Sequence, residues 1–331
     1  MTSGRRILIT GSSGYLGRAI IRTLLTQADL EVLIGVDIRS SAALTQLGDP
    51  RLRLIVADVA DPIDHLLREY KIDTVLHAAF VLRPSHDLRR MRRTNVEGTR
   101  QILRACSACG VSHLLHLSSA SVYGFLPHQT MPFVETDSLN PEPGFTYAEH
   151  KAEGDRLVQE TRNQSSIETI TVFRPSFIIG GESDNPLYEH LSRRFVFLPS
   201  RMSSLQLTHI DDLCAAVLRV LERRPNENYN LGAPGALSPL QMVQRLHGRA
   251  ILLPQRLLHA CNDVGWALRA RWLTNWPSSA ISSLEGYWWV SSEKLERQMS
   301  LSFRYDTEKA FDSWVRERVR LRYHRRFGAL E

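Results

Sequence analysis

The stretch RILITGSSGYLGRAIIRTLL, residues 6–25, runs from a short aliphatic segment through three spaced glycines into an amphipathic one. That order predicts strand, tight turn and helix. Gly11 permits the turn, Gly14 lets a pyrophosphate approach the backbone, and Gly17 lets the helix pack closely on the strand. Ser13, Tyr15 and Leu16 complete the loop. The unpaired amides and positive dipole end of the helix would receive the phosphates.

A glycine triplet alone is weak evidence, because glycines also serve ordinary turns. The next aliphatic run, EVLIGVD, ends in Asp37, twenty residues past Gly17 and followed by Ile38 and Arg39. An acidic residue at about that spacing hydrogen-bonds the adenosine ribose hydroxyls and repels a 2′-phosphate. NAD is therefore favoured over NADP, although Arg39 offers a guanidinium two residues on. The competing reading of Asp37 is a cap or turn residue.

Further aliphatic runs alternate with amphipathic stretches through LRLIVAD, TVLHAA and HLLHLSS. Such βαβα alternation predicts an α/β fold, a Rossmann-like doubly wound parallel sheet. The expected organisation is a dinucleotide-binding domain over residues 1–180, with 205–235 returning to it. A smaller, mainly helical substrate-binding domain is expected over 181–204 and 236–331. The boundary follows loop-forming residues around Gly180, Gly181 and Asp184.

In FTYAEHKAEGDRLV, residues 145–158, Tyr147 and Lys151 stand at i and i+4 of a predicted helix and so share a face. An ammonium beside a phenol favours the phenolate and would bring the phenol toward neutrality as a general base. In HLLHLSSASVYG, residues 113–124, an aliphatic strand ends in Ser118 and Ser119. That end of a parallel strand is where ligands of such sheets bind, and a serine there can stabilise charge on a reacting oxygen.

With these segments in view, the chain resembles the extended short-chain dehydrogenases/reductases, the NAD-dependent epimerase/dehydratase family. The glycine motif, YxxxK as YAEHK, and the serine segment LSSASVYG carry the likeness. The resemblance implies a catalytic set of Ser119, Tyr147 and Lys151, with Ser118 in support. It also implies an adenine-side contact at Asp58 and Val59 in ADVAD, a loop under the adenosine and pyrophosphate at Ala78, Ala79 and Phe80 in HAAF, and an architectural Asn95 in TNVEGT. FRPSFIIGG, with Arg174 and Pro175, would flank the nicotinamide.

The implied activity is hydride transfer at a secondary alcohol or ketone, with a nucleotide sugar as one substrate class. Three departures bear on that class. Ser119 is followed by Ala120 and Ser121, where sugar dehydratases of the family carry an acidic pair. RPS replaces the epimerases' Arg-aromatic-Asn pattern, and SLQL precedes THIDDL where they often have an arginine. The alternatives are a hydroxysteroid-dehydrogenase-like or ketone reductase for an apolar substrate, and a dinucleotide-binding regulatory protein without catalysis.

The net charge of +6 rests on arginine, since lysine occurs only at positions 71, 151, 294 and 309. The basic RERVRLRYHRR near the C-terminus reads as a solvated helix end rather than a nucleic-acid site. Cys106 and Cys109 form a CxxC within a predicted helix and read as packing; no metal is expected. No apolar run is long enough for a membrane span, and no signal-peptide pattern opens the chain, so a soluble, cytoplasmic protein is expected. The resemblance further implies a homodimer, paired through helices near 89–109 and 147–162.

All six tryptophans lie between 266 and 314. They read first as core and interface packing. A sharper reading is that LLHACNDVGWALRARWLTNW, residues 257–276, lines a substrate cavity or lies on a membrane surface, because it mixes large apolar groups with arginines.

Overall fold

A computed structural model describes residues 4–128, 130–181, 183, 186–270 and 274–327, and only the backbone of 319–327. In chain order the strands are β1 (Arg5–Thr10), β2 (Leu30–Asp37), β3 (Leu52–Val56), β4 (Thr74–His77), β5 (His113–Leu117), β6 (Thr169–Pro175), β7 (Phe177–Ile179), β8 (Phe195–Pro199), β9 (Leu207–His209), β10 (Asn228–Leu231) and β11 (Arg249–Leu253). Seven of them form one sheet in the order β10-β6-β5-β4-β1-β2-β3. Every neighbouring pair in it is parallel.

The central strands are aliphatic on both faces because both faces are covered. Ile7, Leu8 and Ile9 of β1 are all fully buried, and burying each such side chain contributes about 1.5–3 kcal/mol. On one face, helix Tyr15–Leu25 buries Gly17, Ile20, Ile21 and Leu24, a helical stripe, and packs against helix Ile210–Arg223. On the other, helix Gly98–Cys109 buries Ile102, Leu103 and Cys106. The CxxC is thus a packing feature, with Cys106 in the core and burial pushing its thiol up.

Strand order reverses between β1 and β4, which sit side by side although the chain runs from β1 outward to β2 and β3. The crevice at such a switch point, beyond the carboxyl ends of the strands, is where open α/β sheets hold ligands. Thr10, His77, Leu117 and Pro175 end the four strands that border it.

The C-terminal part carries helices Pro239–Arg245, Gln255–Ala267, Ser278–Glu285, Glu293–Met299 and Thr307–Phe327. A mainly helical region is the sequence expectation, but it also contains a parallel β8–β11 pair that the irregular sequence hides. Its core gathers Tyr188, Leu191, Leu198, Phe311 and Trp314. Among the described residues, no helix is long and apolar enough to cross a membrane.

Candidate active site

The glycine loop is built on close backbone contacts. Gly11 sits at φ +73°, and a Cβ there would lie 2.7 Å from the Ala79 nitrogen. At Gly17 a Cβ would fall 2.1 Å from the Gly11 carbonyl oxygen, so helix and loop touch only because that atom is missing. Gly14 precedes helix Tyr15–Leu25 with no side-chain cap, and its first amides lack intrahelical partners. This cradle of open amides fits a pyrophosphate.

The Asp37 carboxylate ties the loop to the end of β2. It accepts from the Ser13 amide at 3.0 Å and from the Arg39 amide at 3.2 Å. The turn-organising reading of Asp37 is thus what these bonds show, and the carboxylate keeps further lone pairs beyond them. Beneath the loop, the Thr10 hydroxyl accepts from the Ala78 and Ala79 amides, both at 3.2 Å, and pairs with His77 Nδ1 at 2.8 Å.

Helix Thr146–Arg162 brings Tyr147 and Lys151 to the same crevice. Lys151 Nζ donates to the Leu117 carbonyl oxygen at 2.6 Å and stands 3.8 Å from the centre of the Phe80 ring. Burial brings its ammonium down to about 7 despite the nearby Asp155 charge. The Ser119 hydroxyl favours the charged form of the Tyr147 phenol, whose ring packs edge-on against Phe80.

One electrostatic expectation is corrected. Burial raises the Tyr147 phenol, with the nearby Ser119 hydroxyl only partly opposing it, and the Lys151 ammonium is turned to a main-chain carbonyl. Depression of the phenol toward neutrality is thus not a property of these side chains alone; a cationic nicotinamide ring beside it would act in that direction.

The strand end after β5 splits its two serines. Ser119 accepts from the Ser121 amide at 3.2 Å and from the Ser121 hydroxyl at 3.0 Å, which restrains its hydroxyl. Ser118 instead donates to Asp155 at 2.8 Å. That aspartate receives a two-pronged grip from Arg174, at 2.8 and 2.9 Å, and Arg174 also donates to the Tyr123 hydroxyl at 2.8 Å. Burial alone would raise Asp155, but the Arg174 hydrogen bonds and charge outweigh it and hold the carboxyl low.

Arg174 is consequently corrected as a cofactor contact. Its guanidinium is fully buried in that ion pair, and only the next residue, Pro175, reaches the crevice. Gly11, Ser13, Gly14, Tyr15, Leu16, Gly17, Arg39, Ala78, Phe80, Ser118, Ser119, Tyr147, Lys151 and Pro175 all line one cavity of about 760 Å³. Asp37, Ile38, Asp58, Val59, Ala79, Asn95 and Arg174 are not among its lining residues.

Of these, Asp58 accepts from the Ala60 amide at 2.9 Å, and Val59 is buried against Gly98. Asn95 sits in a π-turn, Arg93–Glu97, and its Oδ1 accepts from the Val81 amide at 2.7 Å. It holds the chain just past Phe80, where Val81 itself lines the cavity.

Sequence reasoning missed Ser121, Phe125, Ser176, Phe177 and Arg83, which also line the cavity. The Ser-x-Ser spacing of Ser119 and Ser121 is a signal that could have found the first. Trp276, Ile281, Leu284 and Trp288 line it as well. Trp288 packs against Phe125 and Phe177, whereas Trp314 belongs to the core and Trp266 stacks on His86. Trp272 lies outside the described residues.

Comparison with known proteins accords with this fold. The model of the NAD dependent epimerase/dehydratase family matches residues 7–232. The D-erythronate dehydrogenase of Cupriavidus necator is 30% identical over 94% of this chain and 96% of that one. A 4-hydroxy-2-methyl-3-oxo-4-farnesyl-3,4-dihydroquinoline-1-oxide ketoreductase of Stigmatella aurantiaca is 25% identical over 69% of each chain. In fold, the solved structure of dTDP-glucose 4,6-dehydratase from Bacillus anthracis in complex with NAD superposes with a TM-score of 0.76. It has 17% identity and covers 96% of this chain and 97% of that one.

Proposed function

Because the chain belongs to the NAD dependent epimerase/dehydratase family, we propose that it oxidises or reduces a secondary alcohol or ketone with NAD, Tyr147 serving as acid/base. The observation that carries this reading is the convergence of Tyr147, Ser119 and Lys151 with the glycine loop on one cavity. When bound, the nicotinamide supplies the hydride acceptor or donor. Gly11, Gly14 and Gly17 would hold the pyrophosphate, Asp37 the adenosine ribose, and Lys151 the nicotinamide ribose.

The protein's own part is proton handling and positioning. Tyr147 takes the proton from a substrate hydroxyl, or returns it to a carbonyl oxygen, while Ser119 donates a hydrogen bond to that oxygen. Ser121 keeps the Ser119 hydroxyl aimed, and Phe80, Phe125 and Phe177 exclude water around the pair.

Within this reading a nucleotide sugar is one substrate class and an apolar alcohol or ketone the alternative. Phe125, Phe177, Trp276 and Trp288 in the cavity wall would suit the apolar substrate, whereas Arg193, also in the lining, would suit a phosphate. A homodimer, resting on the family resemblance, and the cytoplasmic location expected from the sequence belong to the same proposal.

The test is calorimetric titration with NAD and with NADP, preceded by quantifying cofactor released on denaturing the purified protein. One NAD per chain and weaker NADP binding is the expected result. Absence of binding by either would overturn the proposal. A near-stoichiometric retained cofactor would assign a redox-neutral cycle, and an empty, refillable site a dehydrogenase or reductase.

A further inference from the structure

Large exposed apolar side chains are usually scattered singly over a surface. In this chain many of them gather around the outer part of the cavity. On β8, burial alternates so that Phe195 and Phe197 point outward, and the paired β11 residue opposite Phe197, Ile251, is exposed beside it. The adjoining helix Gln255–Ala267 buries a single residue, Gly265. Leu257, Val264 and Leu268, spaced i, i+7 and i+11 and thus on one face, are 50%, 58% and 74% exposed.

Arginines border this apolar surface. Arg194 lies over the Phe195 ring, Arg249 is opposite Phe195 in register, and Arg256 and Arg269 adjoin Leu257 and Leu268. All four are exposed, and none has a carboxylate partner among the described residues, unlike Arg83, Arg92 and Arg245 elsewhere. The nearby acids are engaged: Asp263 accepts from Ser278, Glu285 pairs with His259, and Glu189 holds Arg83.

We propose that this face docks on an anionic phospholipid surface, with the apolar side chains entering the interface and the arginines meeting lipid phosphates. The charge decides against a second copy of the chain, because a self-complementary contact would bring unpaired arginines against one another. Apolar groups flanked by arginines are the composition of surface-lying membrane segments. Phe197, Leu258 and Cys261 belong both to these elements and to the cavity lining, so docking brings a wall of the cavity to the lipid surface.

The experiment is co-sedimentation of the full chain with vesicles of phosphatidylcholine alone or mixed with phosphatidylglycerol. Binding should appear only with the anionic lipid and weaken as salt rises. Leu257→Glu/Val264→Glu/Leu268→Glu should abolish it, and Arg256→Gln/Arg269→Gln should weaken it roughly 10-fold or more. Because all five side chains are exposed, melting temperature and NAD binding should stay at wild-type values, separating loss of docking from loss of fold. Wild-type protein left in the supernatant with anionic vesicles overturns the proposal. So does a triple variant that still sediments, or one that converts a wild-type dimer to monomer, which would assign the face to a second copy.

Discussion

Arg174 grips Asp155 with two parallel hydrogen bonds, 2.8 and 2.9 Å long, in a region with almost no solvent access. The pair joins β6 to the helix carrying Tyr147 and Lys151, and it also anchors Ser118 next to Ser119. Removing one partner leaves a buried charge uncompensated. Arg174→Ala is expected to cost about 3–5 kcal/mol of stability, measured by denaturant unfolding, whereas Arg174→Met with Asp155→Leu should recover much of it.

Lys151 titrates near 7 when folded because burial disfavours its ammonium, against about 10.4 when unfolded. Between those values the unfolded chain holds a proton that the folded chain has released, so stability rises with pH across that window. Below it the full burial cost remains. Cofactor-free wild type should therefore gain stability relative to Lys151→Met between about pH 7 and about pH 10. A difference independent of pH would contradict this.

Asp37 holds the glycine loop through Ser13 and is the residue proposed above to hold the ribose. Asp37→Ser removes a charged acceptor, so NAD affinity should fall roughly 10- to 100-fold. NADP, no longer repelled, should lose less or gain. Titration of both cofactors against both proteins gives the ratio directly, and an unchanged preference would remove Asp37 from the ribose site.

Much of the Rossmann half was legible because its signals are local. The strand, turn and helix around Gly11, Gly14 and Gly17 lie within twenty consecutive residues, and Tyr147 and Lys151 are one helical turn apart. Arg174 was not legible: its partner Asp155 is 19 residues upstream on another element, and no periodicity announces a buried ion pair. The direction of the Tyr147 shift was missed for a similar reason. Spacing on a helix gives proximity to Lys151, but not the enclosure by Phe80 and Phe145 that raises the phenol.

The substrate wall was the least readable part. Trp276 and Trp288 reach the cavity from a turn and from the segment after helix Ser278–Glu285, where neither a period of two nor one of 3.6 exists to follow. The β8–β11 pair joins strands some 50 residues apart and escaped notice for the same reason.

The central claim is that Tyr147 transfers the proton while hydride moves to or from NAD. The direct measurement supplies wild type and Tyr147→Phe with NAD and a panel of secondary alcohols, sugar acids and apolar alcohols included, or with NADH and the matching ketones, and follows NADH. Wild type should turn over, and Tyr147→Phe should lose about 10²–10⁴-fold in kcat with NAD affinity unchanged. Turnover by Tyr147→Phe within a few-fold of wild type would contradict it.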